Sequence, residues 1–522
     1  MVRLSSYVAG HWFEGEGPGI TLVNPATEAP LATADAQGLD TEALLTHART
    51  MGGPALSALS FGERAAILKD LAKLFHINRE ELLDLAQANG GATRGDAKFD
   101  VDGAIGTLAA YAVFGEKLAE KVGTRRFLSD GDFIQLTRSP RFVGQHLHLR
   151  RPGVAVHINA FNFPAWGTFE KVSVAFLAGV PVISKPATAT ALLTWRMTQL
   201  LVASNKVPEG AFQLICGSTG DPLDRLGPQD HLAFTGSAHT AGLLRANPHL
   251  IRNATRINVE ADSLNALVLG PDVSPDSDLW ATALRSIVTD MTQKTGQKCT
   301  AIRRVFVPEA HAEALGEALV EALSPIVVGD PTGPGSMGPV ATAAQHRDVR
   351  AGIAALLAES SPLCGGPERI DGAGVPTGKG YYVAPTVLRA KDTATARIAH
   401  TLEVFGPCVS LLPYDGSATG AALLLGKGQG SLVSTAVSDD RGWLEEVVMG
   451  AGPWLGRLLL LSGKIADSAT APGMVLPALI HGGPGRAGGG EELGGERGLL
   501  FYMQRTALQG DQVVLKKALG LE

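Results

Sequence analysis

Cys299 lies in the run Thr295-Gly-Gln-Lys-Cys-Thr300, 39 positions after Glu260 in Ile257-Asn-Val-Glu-Ala-Asp262. A thiol supplies a soft nucleophile for a carbonyl carbon, and a carboxylate can deprotonate that thiol or activate a water. Two residues so far apart do not define a site by themselves. Two other segments suit further parts of the same reaction. Phe161-Asn162-Phe163-Pro164 offers a side-chain amide, and Phe234-Thr235-Gly236-Ser237 offers a turn after an apolar run. Glycine in such a turn lets the backbone approach a pyrophosphate, and a following helix points N–H groups at the phosphates. The turn lacks a Gly-x-Gly-x-x-Gly pattern, so taken alone it is equally a strand-to-helix turn without a ligand.

The elements that must hold these residues are legible in part. Apolar residues spaced by three and four from Glu63 to Phe75, and again from Glu80 to Ala88, predict helices within residues 41–122. Near Arg150-Arg-Pro-Gly the pattern changes. Short apolar runs at Val154–Ile158, Gly179–Lys185 and Leu232–Thr235 alternate with helical stretches such as Leu192–Ser204. That alternation predicts an α/β fold with a parallel sheet covered on both faces. A second α/β region begins near Ala266-Leu-Val-Leu-Gly270 and runs through the cysteine segment and Arg303–Val307, while the Gly/Pro-rich stretch 470–495 reads as irregular chain around a site.

At 522 residues the chain exceeds a single core, and 45% hydrophobic with 18% charged residues describes a folded, enzyme-sized protein. Its 45 Lys and Arg against 51 Asp and Glu give a net charge of −6, too mild to point to nucleic acid or an anionic membrane as a partner. The N-terminus lacks a basic segment followed by an apolar core, no apolar run has spanning length, and the expected location is the cytoplasm. Cys216, Cys299, Cys364 and Cys408 show no Cys-x-x-Cys spacing and no histidine cluster at ligand intervals, so neither a disulfide framework nor a metal site is expected. Any thiol chemistry is then catalytic.

Asn162, Lys185, Thr235-Gly-Ser237, Glu260, Cys299 and Glu403-Val-Phe-Gly-Pro407 follow one another in the order and at the spacing of the aldehyde dehydrogenase family, which the chain resembles over nearly its whole length. Val259–Asn265, Gly296–Thr300 and His481-Gly-Gly-Pro-Gly-Arg-Ala-Gly-Gly-Gly-Glu-Glu-Leu-Gly494 resemble the branch that handles CoA-linked semialdehydes. The resemblance implies a Rossmann-type open-sheet cofactor domain (residues 1–130 and 151–261), a second α/β catalytic domain (262–490), and a small β element for oligomerisation (131–150 and 498–515). It implies Cys299 as nucleophile, and the Asn162 amide with the Cys299 backbone N–H as oxyanion donors. Glu260 is the implied general base, useful if burial or a neighbour lifts its pKa. Lys171, nine positions after Asn162, and Glu492, with Glu491 beside it as the alternative, are secondary candidates. Lys298, next to the thiol, is expected at the surface.

For the cofactor, the resemblance implies contacts from Lys185, Thr188, Thr235, Gly236, Ser237, Glu403 and Phe405. NAD-preferring members often carry a glutamate three positions after the lysine, where this chain has Thr188. A carboxylate there would repel a 2′-phosphate, so the expectation is NADP, with NAD possible. The family glycine five positions after the first is Ala241 here, followed by Gly242. The expected assembly is a homodimer and the expected substrate a small CoA-linked aldehyde, oxidised with water as acyl acceptor because Glu260 is present. A cysteine-dependent thioester hydrolase and a binding protein without turnover remain alternatives.

Overall fold

The computed structural model describes residues 1–218, 221–471 and 473–520. The apolar runs form the strands Ala155–Ile158, Val182–Lys185, Phe212–Leu214, His231–Thr235 and Arg256–Glu260, all parallel neighbours in one seven-stranded sheet. Ser6–Val8 and His11–Phe13 complete that sheet as an antiparallel edge. A second seven-stranded sheet uses Ala266–Leu269, Arg304–Pro308, Thr386–Ala390, Cys408–Tyr414, Ser431–Val437 and Leu455–Leu461 in parallel, with Ser360–Cys364 antiparallel at one edge. Buried clusters lie on both faces of each sheet, as parallel strands require. Phe127–Gln135, Phe142–Arg150 and Met503–Asp511 form a separate three-stranded antiparallel sheet. No helix among the described residues is long and apolar enough to cross a membrane.

The stretch 470–495 departs from its reading as irregular chain. It contains a short antiparallel ladder in which Ile480–Gly482 pairs with Glu491–Leu493, placing His481 opposite Glu492. Strands of three residues are too short to show the alternation by which a strand is recognised in sequence.

Thr235, Glu260 and Lys185 are each the last residue of a parallel strand, so all three stand at the carboxyl edge of the first sheet, where ligands of open α/β sheets bind. The helix Trp166–Ala178 packs on this sheet with nearly every side chain buried. Its N-terminus has no side-chain cap of its own. Asp100, from the long helix Arg94–Val122, accepts from the Trp166 N–H at 2.8 Å and the Ala165 N–H at 3.4 Å, and Thr107 of the same helix accepts from the Trp166 indole at 2.9 Å. The two helices approach closely at Gly103, where an added Cβ would lie 2.1 Å from the Trp166 ring. Gly103→Ala should therefore cost about 1–3 kcal/mol by overpacking. The thermal-denaturation midpoint should fall; an unchanged midpoint would show that Trp166 yields freely.

Candidate active site

Cys299 is delivered by a loop that breaks from its preceding helix, Asp278–Thr292, through three consecutive left-handed residues: Lys294 (φ 52°), Thr295 (φ 54°) and Gly296 (φ 68°). For a β-branched residue this conformation costs on the order of 1–3 kcal/mol, so it persists only where the surroundings enforce it. They do so here. The Thr295 hydroxyl donates to the Gly338 carbonyl at 2.8 Å, the Asn265 amide donates to the carbonyls of Cys299 (2.8 Å) and Ala301 (2.9 Å), and Arg303 donates to those of Lys298 (3.0 Å) and Gly406 (2.9 Å). At Gly296 a Cβ would meet the Gly406 carbonyl at 2.3 Å, so glycine is required for close approach as well as for its φ.

The loop sets Cys299 between two cavities. A cleft of about 380 Å³ is lined by Thr235, Gly236, Ser237, Glu403 and Phe405, while a narrow pocket on the other side is lined by Phe99, Phe163, Trp166, Glu170 and His481. Cys299, Glu260 and Asn162 line both. The Asn162 amide donates to the Gln297 carbonyl at 3.0 Å, which ties it to the cysteine loop and leaves its second N–H for another acceptor.

Glu260, buried at its strand end, has its carboxyl oxygens near two partners: His481 Nε2 lies 3.1 Å from Oε1, and the Thr235 hydroxyl donates to Oε2 at 3.5 Å. Burial alone raises its pKa, but the His481 imidazole and then Lys171 reverse this and bring it down to about 2. Glu260 is thus held ionised near neutrality rather than lifted by burial, because an imidazole and an ammonium face it. The Cys299 thiol is pushed well above its ordinary value, first by burial and then by Glu260, Glu170 and Glu403.

Behind the pocket Lys171 is almost inaccessible and stands 3.0 Å from Glu492 and 3.3 Å from Glu170. Glu492 also accepts from the Asn258 amide at 3.3 Å, whereas Glu491 is exposed, as neighbours on a strand must point to opposite faces. Burial, only partly offset by Lys171, raises Glu170 to about 8. For Lys171 burial works the other way, and Glu492 and Glu170 outweigh it to raise the ammonium's pKa. One oxygen each of Glu170, Glu260 and Glu492 lies within 4.8 Å of the others, and Lys171 supplies positive charge against them.

On the cleft side, Glu403 accepts from the Ser263 N–H at 3.2 Å and faces Arg303 at 3.6 Å, yet its buried Oε1 has no hydrogen-bond partner. Burial foremost raises its pKa to about 7. Phe405 lies edge-on to Phe161, beneath the Arg303 guanidinium. Ser237 caps the helix Ala238–Arg245, accepting from the Thr240 N–H at 3.2 Å, and Asp262 accepts from the Ala238 N–H at 2.8 Å. Ala241 is buried in that helix. Lys185 is half-buried, which lowers its pKa, and Thr188 opens the short turn Thr188–Thr190; both flank Ala187, which lines the cleft. An unpartnered carboxylate oxygen beside a glycine turn at a sheet's carboxyl edge suits a nucleotide whose ribose hydroxyls donate.

The structure gathers Asn162, Lys171, Glu260, Cys299 and Glu492 into one site and sets Thr235, Gly236, Ser237, Glu403 and Phe405 on its cleft side. Two participants were not singled out from sequence, Glu170 and His481. Lys298 is corrected: it is buried and paired with Asp290 at 2.6 Å, pulled inward by that carboxylate. All four cysteines are free.

Residues 12–447 match the family model described as the aldehyde dehydrogenase family, so the chain belongs to the aldehyde dehydrogenase family of NAD(P)-dependent oxidoreductases. Among its relatives, it is 41% identical over 484 residues to a 3,4-dehydroadipyl-CoA semialdehyde dehydrogenase from Aromatoleum evansii, covering 92% of this chain and 93% of that protein. Its fold matches a point mutant of betaine aldehyde dehydrogenase from Staphylococcus aureus in complex with NAD+ (TM-score 0.83, 22% identity, 98% of each chain). It also matches lactaldehyde dehydrogenase from Escherichia coli (TM-score 0.82, 22% identity, 98% of this chain and 99% of that one).

Lys171→Met would leave Glu170 and Glu492 buried without their cation. The loss should be about 3–5 kcal/mol near neutral pH. Glu170, already raised to about 8 and raised further without Lys171, binds more protons in the fold than it does unfolded, so the variant's stability should fall further as pH rises from 6 to 8. Melting curves across that range check both; a variant as stable as the parent at pH 8 would contradict the pairing.

Proposed function

We propose that this protein is an NADP-dependent, non-acylating dehydrogenase that oxidises a CoA-linked semialdehyde, 3,4-dehydroadipyl-CoA semialdehyde, to the carboxylic acid. The observation that carries the reading is a single thiol exposed to two cavities, a cleft with an unpaired acceptor on one side and a pocket lined by aromatic residues on the other. The substrate class rests on the 41% identity to the relative from Aromatoleum evansii and on the resemblance of the His481–Gly494 segment to the CoA-semialdehyde branch.

The Cys299 sulfur attacks the aldehyde carbon, and the resulting oxyanion is met by the Asn162 amide and the Cys299 N–H. Fixed donors of this kind are each worth about 10² to 10³ in rate. A nicotinamide held in the cleft would supply the hydride acceptor for oxidation of the thiohemiacetal carbon on Cys299 to the thioester. Glu260, ionised at neutral pH, accepts a hydrogen bond from the water that cleaves it and takes the proton only as attack on the thioester acidifies that water. Lys171 and Glu492 form the buried charge pair behind that base. Lys185, Thr188, Thr235, Gly236, Ser237, Glu403 and Phe405 are the residues to hold the cofactor. Thr188, which carries no charge, is compatible with a 2′-phosphate; NAD is the alternative.

The domain reading goes with this mechanism: residues 1–130 and 151–261 for the cofactor, 262–490 for catalysis, 131–150 and 498–515 for assembly as a homodimer. Exposed Ile134, Phe142, Val513 and Val514 on or beside the small sheet support the last point. Four unpaired thiols go with a cytoplasmic location.

Reduction of NADP and NAD, measured with CoA-linked semialdehydes and short aliphatic aldehydes, tests the reading. Expected is a higher kcat/KM for NADP and for the CoA-linked substrates. Preference for plain aldehydes would reduce the account to a generic aldehyde dehydrogenase, and preference for NAD would overturn the role given to Thr188.

A further inference from the structure

Sulfur and carboxylate are not the only reactive groups at the junction of the two cavities. His481 comes from the short strand Ile480–Gly482, opposite Glu492 on Glu491–Leu493. Its side chain is 3% exposed. Nε2 lies 3.8 Å from the Cys299 sulfur in hydrogen-bonding geometry and 3.1 Å from Glu260 Oε1, while Nδ1 is buried without a partner. One nitrogen therefore stands between the thiol and a carboxylate, and in the tautomer that carries its proton on Nδ1 it is a base toward the thiol.

We propose that His481 is a catalytic residue that takes the proton of Cys299, with the Glu260 carboxylate stabilising the imidazolium so formed. The step balances within the site: the S–H bond breaks, an Nε2–H bond forms, the sulfur keeps the electron pair, and no net charge is created. This matters because burial and three carboxylates oppose release of the thiol proton to solvent. Charge separation between adjacent groups avoids exporting that proton from a site already rich in negative charge. Glu260 is then left to serve the water in the later hydrolysis, so base and nucleophile activation fall to different side chains.

The groups facing His481 set the sign of the effect. Glu260 at its strand end and Glu170 from the helix Trp166–Ala178 favour the imidazolium, whereas burial and Arg457 from the strand Leu455–Leu461 oppose it; the balance raises the imidazole's pKa. Glu492 lies across the ladder, held by Lys171.

The test rests on the proposed nucleophile but needs neither aldehyde nor nicotinamide. Iodoacetamide alkylation of Cys299 is followed against pH in the full-length protein, with Cys299→Ser as the background for the other thiols. Thiolate absorbance near the ultraviolet edge is recorded in parallel. His481→Phe and His481→Gln should both move the alkylation midpoint upward by at least one pH unit, about a tenfold loss of rate at pH 7. Glu260→Gln should move it less in the same direction. If both histidine variants keep the parent midpoint, the proposal is overturned, and a fall in amplitude alone would assign His481 a packing role. If His481→Phe does not fold, His481→Gln and His481→Asn decide the question. Failure of the dehydrogenase reading would be seen separately, as no nicotinamide reduction by a protein whose thiol still shifts with His481.

Discussion

Three largely buried carboxylates, Glu170, Glu260 and Glu492, converge behind one cysteine, and they cannot all stand there as bare charges. Much of the local structure is the solution to that constraint. Lys171 lies beside two of them, His481 faces the third, and Glu170 is held at a pKa of about 8 so that it stays protonated near neutrality. The charged residues come from different elements: a buried helix, the end of a parallel strand, and a short hairpin in a Gly/Pro-rich segment. Placing them together requires the carboxyl end of the first sheet, the helix Trp166–Ala178 and the short ladder to converge on the cysteine loop.

The loop meets a second constraint. Its left-handed residues, Lys294 to Gly296, turn the chain sharply so that Cys299 opens to both cavities, and Asn265, Arg303 and Gly338 hold that turn by hydrogen bonds to its backbone and to the Thr295 hydroxyl. Arg303 links the loop to Gly406, next to Phe405 on the cleft side, so the nucleophile and the cleft wall share a single support. These bonds fix the loop before any ligand is present, which lowers the cost of orienting the nucleophile.

Much of this was legible in the sequence because each motif carries its own chemistry. Cys299, Glu260, Asn162, Lys171 and Glu492 occur in segments whose order resembles the family, and alternating apolar runs predict the parallel sheets. The missed residues lacked such a signal. His481 sits among glycines, where no periodicity assigns it to a strand, and its opposite number lies eleven positions away across a ladder of three residues. Glu170 was readable in principle: a Glu-Lys pair inside the apolar run Trp166–Ala178 must be buried, and buried charges must be paired. The burial of Lys298 has no sequence signal, because lysine is ordinarily exposed and only the fold brings Asp290 to it.

The central claim is that the Cys299 sulfur becomes acylated during turnover. The most direct measurement is the intact and peptide mass of Glu260→Gln protein quenched in acid after mixing with aldehyde and NADP. The variant should retain, on the peptide containing Cys299, an adduct equal to the aldehyde less two hydrogens, because the thioester forms and its hydrolysis is slowed. Nicotinamide reduction without any adduct, or an adduct on a different residue, would contradict the account.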